Sequence, residues 1–181
     1  MDPSPRPLTP SAAIRSVQAV INPAAGHVGS DSEDRLKLIL DAFGLESRIV
    51  SPAPDEIESA LASAIAARPD LLVVLAGDGT AGRAAALCGP HGPLLAPMPG
   101  GTMNMLPHAL YGAVDWSQAL TAALESGQER PVSCGEVSGL RFYCVAILGS
   151  PAFWAPAREA TRYGDLGRAW QHARIAFRRA F

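Results

Sequence analysis

Residues 71–76 read Leu-Leu-Val-Val-Leu-Ala, six apolar residues in succession, preceded by Pro69-Asp70 and followed by Gly77-Asp78-Gly79-Thr80. Successive strand side chains point to opposite faces, so a strand can be apolar throughout only if both faces are covered. The run therefore predicts the middle of a parallel sheet with helices above and below it. The flanking sequence supplies the other parts. Ile14–Ile21 is a β-branched run ending at Asn22-Pro23, the pattern of a first strand. Behind Ser30-Asp31-Ser32-Glu33, which has capping-box spacing, Leu36, Ile39, Leu40 and Phe43 recur at helical spacing until Gly44.

The alternation continues. Glu46–Val50 predicts a second strand, and Pro54–Arg68 a helix with Ile57, Leu61 and Ile65 on one face. An Ala-rich helix follows Thr80 and stops near Gly89; Pro93–Pro97 predicts a fourth strand. Short helices are expected at Met103–Leu110 and Asp115–Glu125, the second capped by Asp115. Four strand–helix repeats argue an α/β, Rossmann-like, mainly parallel sheet with flanking helices. After Arg130 the pattern changes: Val132–Val137 and Arg141–Leu148 read as strands around Ser138-Gly139. A last helix carries Leu166, Trp170, Ala173, Phe177 and Ala180 on one face, with Arg168, Arg174, Arg178 and Arg179 off it. The expected division is a disordered Pro-rich leader at 1–13, a nucleotide-binding α/β domain at 14–130, and the incomplete beginning of a second, β-rich domain at 131–181.

Composition removes several classes. The 181 residues are 48% hydrophobic, ample for a packed core, and carry a net charge of −2, too little positive charge for general nucleic-acid binding. Cys88, Cys134 and Cys144 form no Cys-x-x-Cys, which disfavours a disulfide framework and a cysteine zinc site. His27, His91, His108 and His172 show no i, i+4 pairing of the kind that ligates metal. No run approaches the roughly 18 apolar residues of a bilayer span, and no secretory signal is evident, so the expected location is the cytoplasm. Charge is uneven: residues 151–181 carry six Arg against Glu159 and Asp165.

Chemistry is expected where strands end. In parallel α/β sheets ligands bind beyond the C-terminal strand edge, and three turns fall there: Asn22–Gly26, Gly77–Thr80 and Pro99–Asn104. Glycines at Gly77 and Gly79 let backbone N–H groups approach a phosphate, and the helix that follows adds its positive end. A carboxylate there, Asp78, fits either a bridging Mg²⁺ or a base that accepts an alcohol proton. The plainer alternative is a turn with Asp78 as a cap. Gly77, Gly79 and Gly82 also match Gly-x-Gly-x-x-Gly, but no Asp or Glu lies between Cys88 and Val114, which disfavours a dinucleotide site. The single lysine, Lys37, lies inside a predicted helix, so there is no P-loop.

Taken together, the three turns resemble the catalytic domain of the diacylglycerol kinase family, which includes sphingosine kinases and bacterial lipid kinases. That family shows Asn-Pro-x-x-Gly after the first strand, Gly-Gly-Asp-Gly-Thr after the third and Pro-x-Gly-Thr-x-Asn-Asp after the fourth; all three patterns occur here, in that order. The resemblance implies a fold shared with NAD kinase, ATP and Mg²⁺ as cofactors, and a lipid hydroxyl at a membrane surface as phosphate acceptor. It implies that Asn22 and Gly26 line the nucleotide site, that Gly77, Gly79 and Thr80 cradle phosphates, and that Gly101, Thr102 and Asn104 close the site. Asp78 would stand at the reacting centre, as Mg²⁺ ligand or as base. Nucleic acid is not an expected partner, peripheral membrane contact is, and a homodimer is left open.

The chain departs from the pattern at three places. Ala76 replaces the first Gly of the third-strand turn, Gly82-Arg83 stands where many members have Asn-Glu, and Met105 replaces the last Asp, with Leu106-Pro107 behind it. Arg162 and Arg168 are candidate phosphate contacts from the second domain, which about 30 residues cannot complete as a sandwich. The expected protein is thus a truncated or split lipid kinase with an intact nucleotide half. The competing readings are an NAD kinase-like enzyme and a non-catalytic nucleotide- or lipid-binding module.

Overall fold

The structure, a computed structural model, describes residues 14–146, 150–162 and 164–180. The leader expected at 1–13 lies outside the described residues, as do positions 147 and 148 of the strand expected to end at Leu148. The chain divides into two compact units, one ending at Cys144 and one running from Val145 to Phe181.

The first unit is built on four parallel strands, β1 (Ser16–Ile21), β2 (Glu46–Val50), β3 (Leu71–Ala76) and β4 (Leu94–Pro99), in the order β2-β1-β3-β4. Between them run α1 (Ser32–Ala42), α2 (Ile57–Ala66) and α3 (Asp78–Cys88); α4 (Met105–Tyr111) and α5 (Trp116–Ser126) follow β4. The central run behaves as its composition requires: every residue of β3 is buried. Its side chains alternate between two cores. Leu71, Val73 and Leu75 join Val17, Ala19, Ile21, Ala96 and Met98 under α1 and α5, through Leu36, Leu40, Trp116 and Leu120. Leu72, Val74 and Ala76 join Val20 on the other face, under Leu61 and Ala64 of α2 and Ala84 of α3. Together these make an α/β sandwich covered on both sides, as the unbroken apolar run predicts.

Local signals explain most boundaries. Gly44, at φ +65°, ends the chain's first helix. Asp115 caps α5 by accepting the Ser117 N–H at 2.9 Å. Arg35 ties α1 to α5, donating to Ser117 Oγ at 3.1 Å and lying 4.8 Å from the centre of the Trp116 ring. The capping box expected at Ser30–Glu33 does not form. The helix starts one residue later than the box requires, with Asp31 rather than Ser30 at its N-cap, and Glu33 accepts the Ser51 hydroxyl at 2.8 Å instead of reaching back. Asp31 sits at φ −90°, ψ −1°, already helix-like, and its carboxylate makes no cap hydrogen bond. A side chain caps a helix from an extended backbone, which this residue has left.

Beyond α5, β5 (Gly135–Val137) and β6 (Leu140–Phe142) form an antiparallel pair around Ser138 and Gly139, both at positive φ. The two strands are shorter than the sequence predicts: Val132 lies outside β5 and is exposed, and residues 143–146 are not strand.

The second unit holds a 3-10 turn (Ser150–Trp154), α6 (Ala155–Arg162) and α7 (Leu166–Ala180). Gly164, at φ +75°, and Asp165 join the helices, and the Asp165 carboxylate accepts the Arg168 N–H at 2.9 Å. The packed face of α7 is not the expected one. Ala169 and Ala176 are buried, whereas Leu166 and Trp170 are 71% and 70% exposed. Small side chains let α7 lie close to α6, and the large apolar residues stay on the neighbouring stripe.

Candidate functional site

Strand order decides where a site can form. The chain leaves β1 toward β2 on one side, then crosses back to β3 on the other, so β1 and β3 are neighbours whose outgoing loops part in opposite directions. This parting at the C-terminal edge is the crevice in which α/β sheets bind ligands. Register aligns the strand ends there: Ile21 pairs with Leu75, and Ala76 with Pro99. All three turns therefore leave the sheet at one level. The Asn22 N–H donates to Leu75 O at 2.9 Å, and the Gly100 N–H to Ala76 O at 3.0 Å.

Close backbone approach then joins the turns. A Cβ on Gly101 would lie 2.5 Å from Gly77 Cα, inside any tolerable contact, and one on Gly100 would lie 2.9 Å from Ala76 N. Glycine is required at both, which no reading of the third turn alone reveals. In the first turn, Asn22 Oδ1 accepts the Ala24 N–H at 3.0 Å, an Asx turn. A Cβ on Gly26 would meet Thr102 Oγ1 at 3.6 Å, so first and third turns are in contact. Asn104 is buried at φ +50°, and its side chain clasps one residue: Oδ1 accepts the Gly101 N–H at 2.7 Å and Nδ2 donates to Gly101 O at 2.8 Å. Both functional groups of this amide are thus committed to shaping the turn. Thr102 is exposed at its crest.

The second turn opens α3. Gly77 is extended, at φ −81°, ψ 171°, and no side chain caps the helix start. The first-turn N–H groups of Asp78, Gly79 and Thr80 have no intrahelical carbonyl to bond. Nothing lies within 4 Å of the place a Cβ would take on Gly79. These uncapped amides, with open space beside Gly79, form a cradle for an anion.

Asp78 stands in the first turn of that helix, half-buried. Its Oδ1 accepts the Leu106 N–H at 3.0 Å, so one carboxylate spans the start of α3 and the start of α4. The Cys144 thiol lies 3.8 Å from the same oxygen. Burial, and after it the Asp78 charge, pushes that thiol above its ordinary pKa. Leu106 and Cys144 are 28 and 66 residues from Asp78, and no local signal in the sequence connects them.

Other predicted residues find different surroundings. Arg83 is ion-paired with Glu58 of α2, which fits a solvated helix position rather than a phosphate contact. Met103 and Met105 are exposed, and Leu106 is buried. The side chain of Arg162 lies outside the described residues, and Arg168 pairs with Asp165 at 3.4 Å. Among the described residues no three His, Cys, Asp or Glu side chains gather as a metal site, and no helix is long and apolar enough to cross a membrane. The fit to the expected groups is therefore unequal. The glycine cradle suits polyphosphate, while a divalent ion would find one carboxylate, Asp78, and would complete its shell from phosphate and water, as Mg²⁺ commonly does.

The family model for the diacylglycerol kinase catalytic domain matches residues 16–137 of the chain. Among solved structures, a Bacillus anthracis str. Sterne protein assigned as a diacylglycerol kinase is 24% identical, with a TM-score of 0.59 over 71% of this chain and 48% of its own. The crystal structure of a diacylglycerol kinase from the same organism gives the same identity and TM-score, over 71% of this chain and 46% of its own. The chain spans about half the length of these structures, and at this identity the likeness establishes the fold. No curated protein matches the chain.

Proposed function

The chain belongs to the diacylglycerol kinase catalytic domain family, and from that premise we propose that it serves an ATP-dependent lipid kinase that moves the γ-phosphate of ATP to the hydroxyl of a diacylglycerol-like lipid. The observation that carries this reading is the uncapped start of α3, open beside Gly79, with the Asp78 carboxylate in its first turn. A phosphate held in the cradle and the Asp78 carboxylate would repel each other, so their nearness calls for a cation between them or a proton for the carboxylate to accept.

In this reading the backbone of Gly77, Gly79 and Thr80 holds the phosphates. Asn22 and Gly26 border the nucleotide from the first turn, and Gly101, Thr102 and Asn104 border it from the third, with Asn104 acting through the Gly101 peptide. Asp78 serves the reacting centre. Its Oδ1 is oriented by the Leu106 N–H, which leaves Oδ2 to accept the acceptor hydroxyl's proton or to meet a cation. Mg²⁺, when bound, would neutralise charge on the phosphates. As the lipid oxygen bonds to the γ-phosphorus, the bond from that phosphorus to the β,γ-bridging oxygen breaks, ADP departs, and the hydroxyl proton passes to Asp78 Oδ2 or, where Asp78 meets a cation, to water. Most of the catalysis is positioning and charge stabilisation, as phosphoryl transfer requires.

The domain division belongs to the same proposal: residues 14–130 for the nucleotide and 131–181 for the beginning of the acceptor side, working at a membrane surface from the cytoplasm. The test is transfer of radiolabelled phosphate from ATP to diacylglycerol in vesicles, with NAD as a competing acceptor. Label in the lipid supports the proposal. Label in NAD alone, or no binding of ATP with Mg²⁺, contradicts it.

A further inference from the structure

We propose that His27 is a positioning residue, a latch that ties the first turn to the third and so keeps the phosphate cradle closed; the inference rests on the lipid-kinase reading above. His27 Nδ1 lies 2.6 Å from Gly101 O, and the His27 N–H donates to Gly100 O at 2.9 Å. One residue of the first turn therefore holds two successive carbonyls of the third. A carbonyl oxygen can only accept, so Nδ1 must carry the hydrogen, and in the neutral ring Nε2 is left as the acceptor. With the Asn104 Nδ2 bond, Gly101 O has both lone pairs engaged.

The latch has a mechanical consequence. Gly101 is packed directly against Gly77, and the residue after Gly77 is Asp78. The Gly101 peptide is thus held in three ways: by Asn104 within its own turn, by close packing on Gly77 of the second turn, and by His27 from the first turn. Of these only His27 belongs to the loop after β1, and its backbone bond to Gly100 O does not fix the orientation of the next peptide. Loss of the imidazole leaves the Gly101 carbonyl held by Asn104 alone, and the third turn loses its side-chain tie to the first, so the Gly101 peptide is less tightly fixed beside Gly77. The effect reaches the reacting centre through Gly101 and Gly77, with no contact between the His27 side chain and Asp78 required.

The test uses the two amide replacements for histidine, because Asn places a donor near Nδ1 and Gln places one near Nε2. Binding of ATP with Mg²⁺ is titrated against the wild type, H27A, H27N and H27Q, with the thermal midpoint of each recorded. H27A and H27Q are expected to bind ATP about three- to tenfold more weakly, the worth of one net hydrogen bond, and H27N to bind within about twofold of wild type. Equal binding by H27A, or rescue by H27Q and not by H27N, overturns the latch while leaving the proposed function standing. Absence of ATP binding by the wild type overturns the proposed function instead. The latch is then decided by nitrogen NMR of the His27 ring: the Nδ1–H tautomer supports it and the Nε2–H tautomer overturns it.

Discussion

The two edges of the parallel sheet use the same residue type in opposite ways. At the N-terminal edge, Asp70 precedes β3, and its Oδ2 accepts the Arg15 N–H, the Ser16 N–H and the Ser16 hydroxyl at 2.9–3.0 Å. Those bonds hold its carboxyl below the ordinary pKa of 3.8. At the C-terminal edge, Asp78 follows β3 and receives one backbone N–H and one thiol, both on the same oxygen. The first carboxylate closes the β1 and β3 starts into a fixed unit. The second is oriented but keeps acceptor capacity, beside amides that no side chain caps. Parallel strands make this asymmetry: all loops of one polarity gather at one edge, and a committed carboxylate at one end frees the other end for chemistry.

The largest test of this contrast is Asp78→Asn. The amide oxygen can still accept the Leu106 N–H, so folding should persist, while phosphate transfer falls by about 100- to 10,000-fold, the range for a positioned acid–base group. Unfolding curves and transfer assays on the same preparation check both halves; full activity would remove Asp78 from either of its roles. Next come the glycines. Gly101→Ala forces a Cβ to within 2.5 Å of Gly77 Cα and should cost about 1–3 kcal/mol of stability, as overpacking does. Gly79→Ala meets no neighbour, so its urea midpoint should match or exceed that of wild type. A loss of ATP affinity in that stable variant would then report a ligand rather than a fold defect.

Asp70→Asn should act on stability alone. Because folding depresses this carboxyl's pKa, its stabilising contribution is present above 3.8 and disappears as pH falls through the lower folded value. The variant should therefore unfold at lower urea than wild type near neutral pH, with the gap closing in acid and ATP binding unchanged. The smallest effect concerns Cys144. Its thiol is held above the ordinary pKa by burial and then by Asp78, so alkylation at neutral pH should be slow and should quicken modestly in Asp78→Asn. An unchanged rate would dissociate the thiol from that carboxylate.

The legible and illegible parts of the molecule separate by range. β2 and β3 have the bounds that their flanking Gly, Pro and Asp residues predict, and the cap at Asp115 follows from one residue and its neighbour. The three turns were legible as turns, because glycine and Asn-Pro mark them. Their mutual fit was not: Gly101 against Gly77, His27 on Gly101 and Leu106 on Asp78 each join residues 24 or more positions apart. The pairing of Arg83 with Glu58, 25 residues away, is of the same kind. In α7 the sequence favours the stripe of large apolar residues as the packed face, but alanine's small size sets the approach of two helices. Period alone cannot choose between adjacent stripes.

The edge contrast is tested most directly by following the backbone amides by NMR while ATP with Mg²⁺ is added. The expected result is that the amides of residues 22, 24–26, 77–80 and 100–104 move with one affinity, while Arg15, Ser16 and Asp70 stay still. Unmoved glycine turns would contradict the account. So would shifts gathered at the opposite edge, around the depression of about 340 Å³ lined by Ile14, Phe43, Leu45 and Leu124.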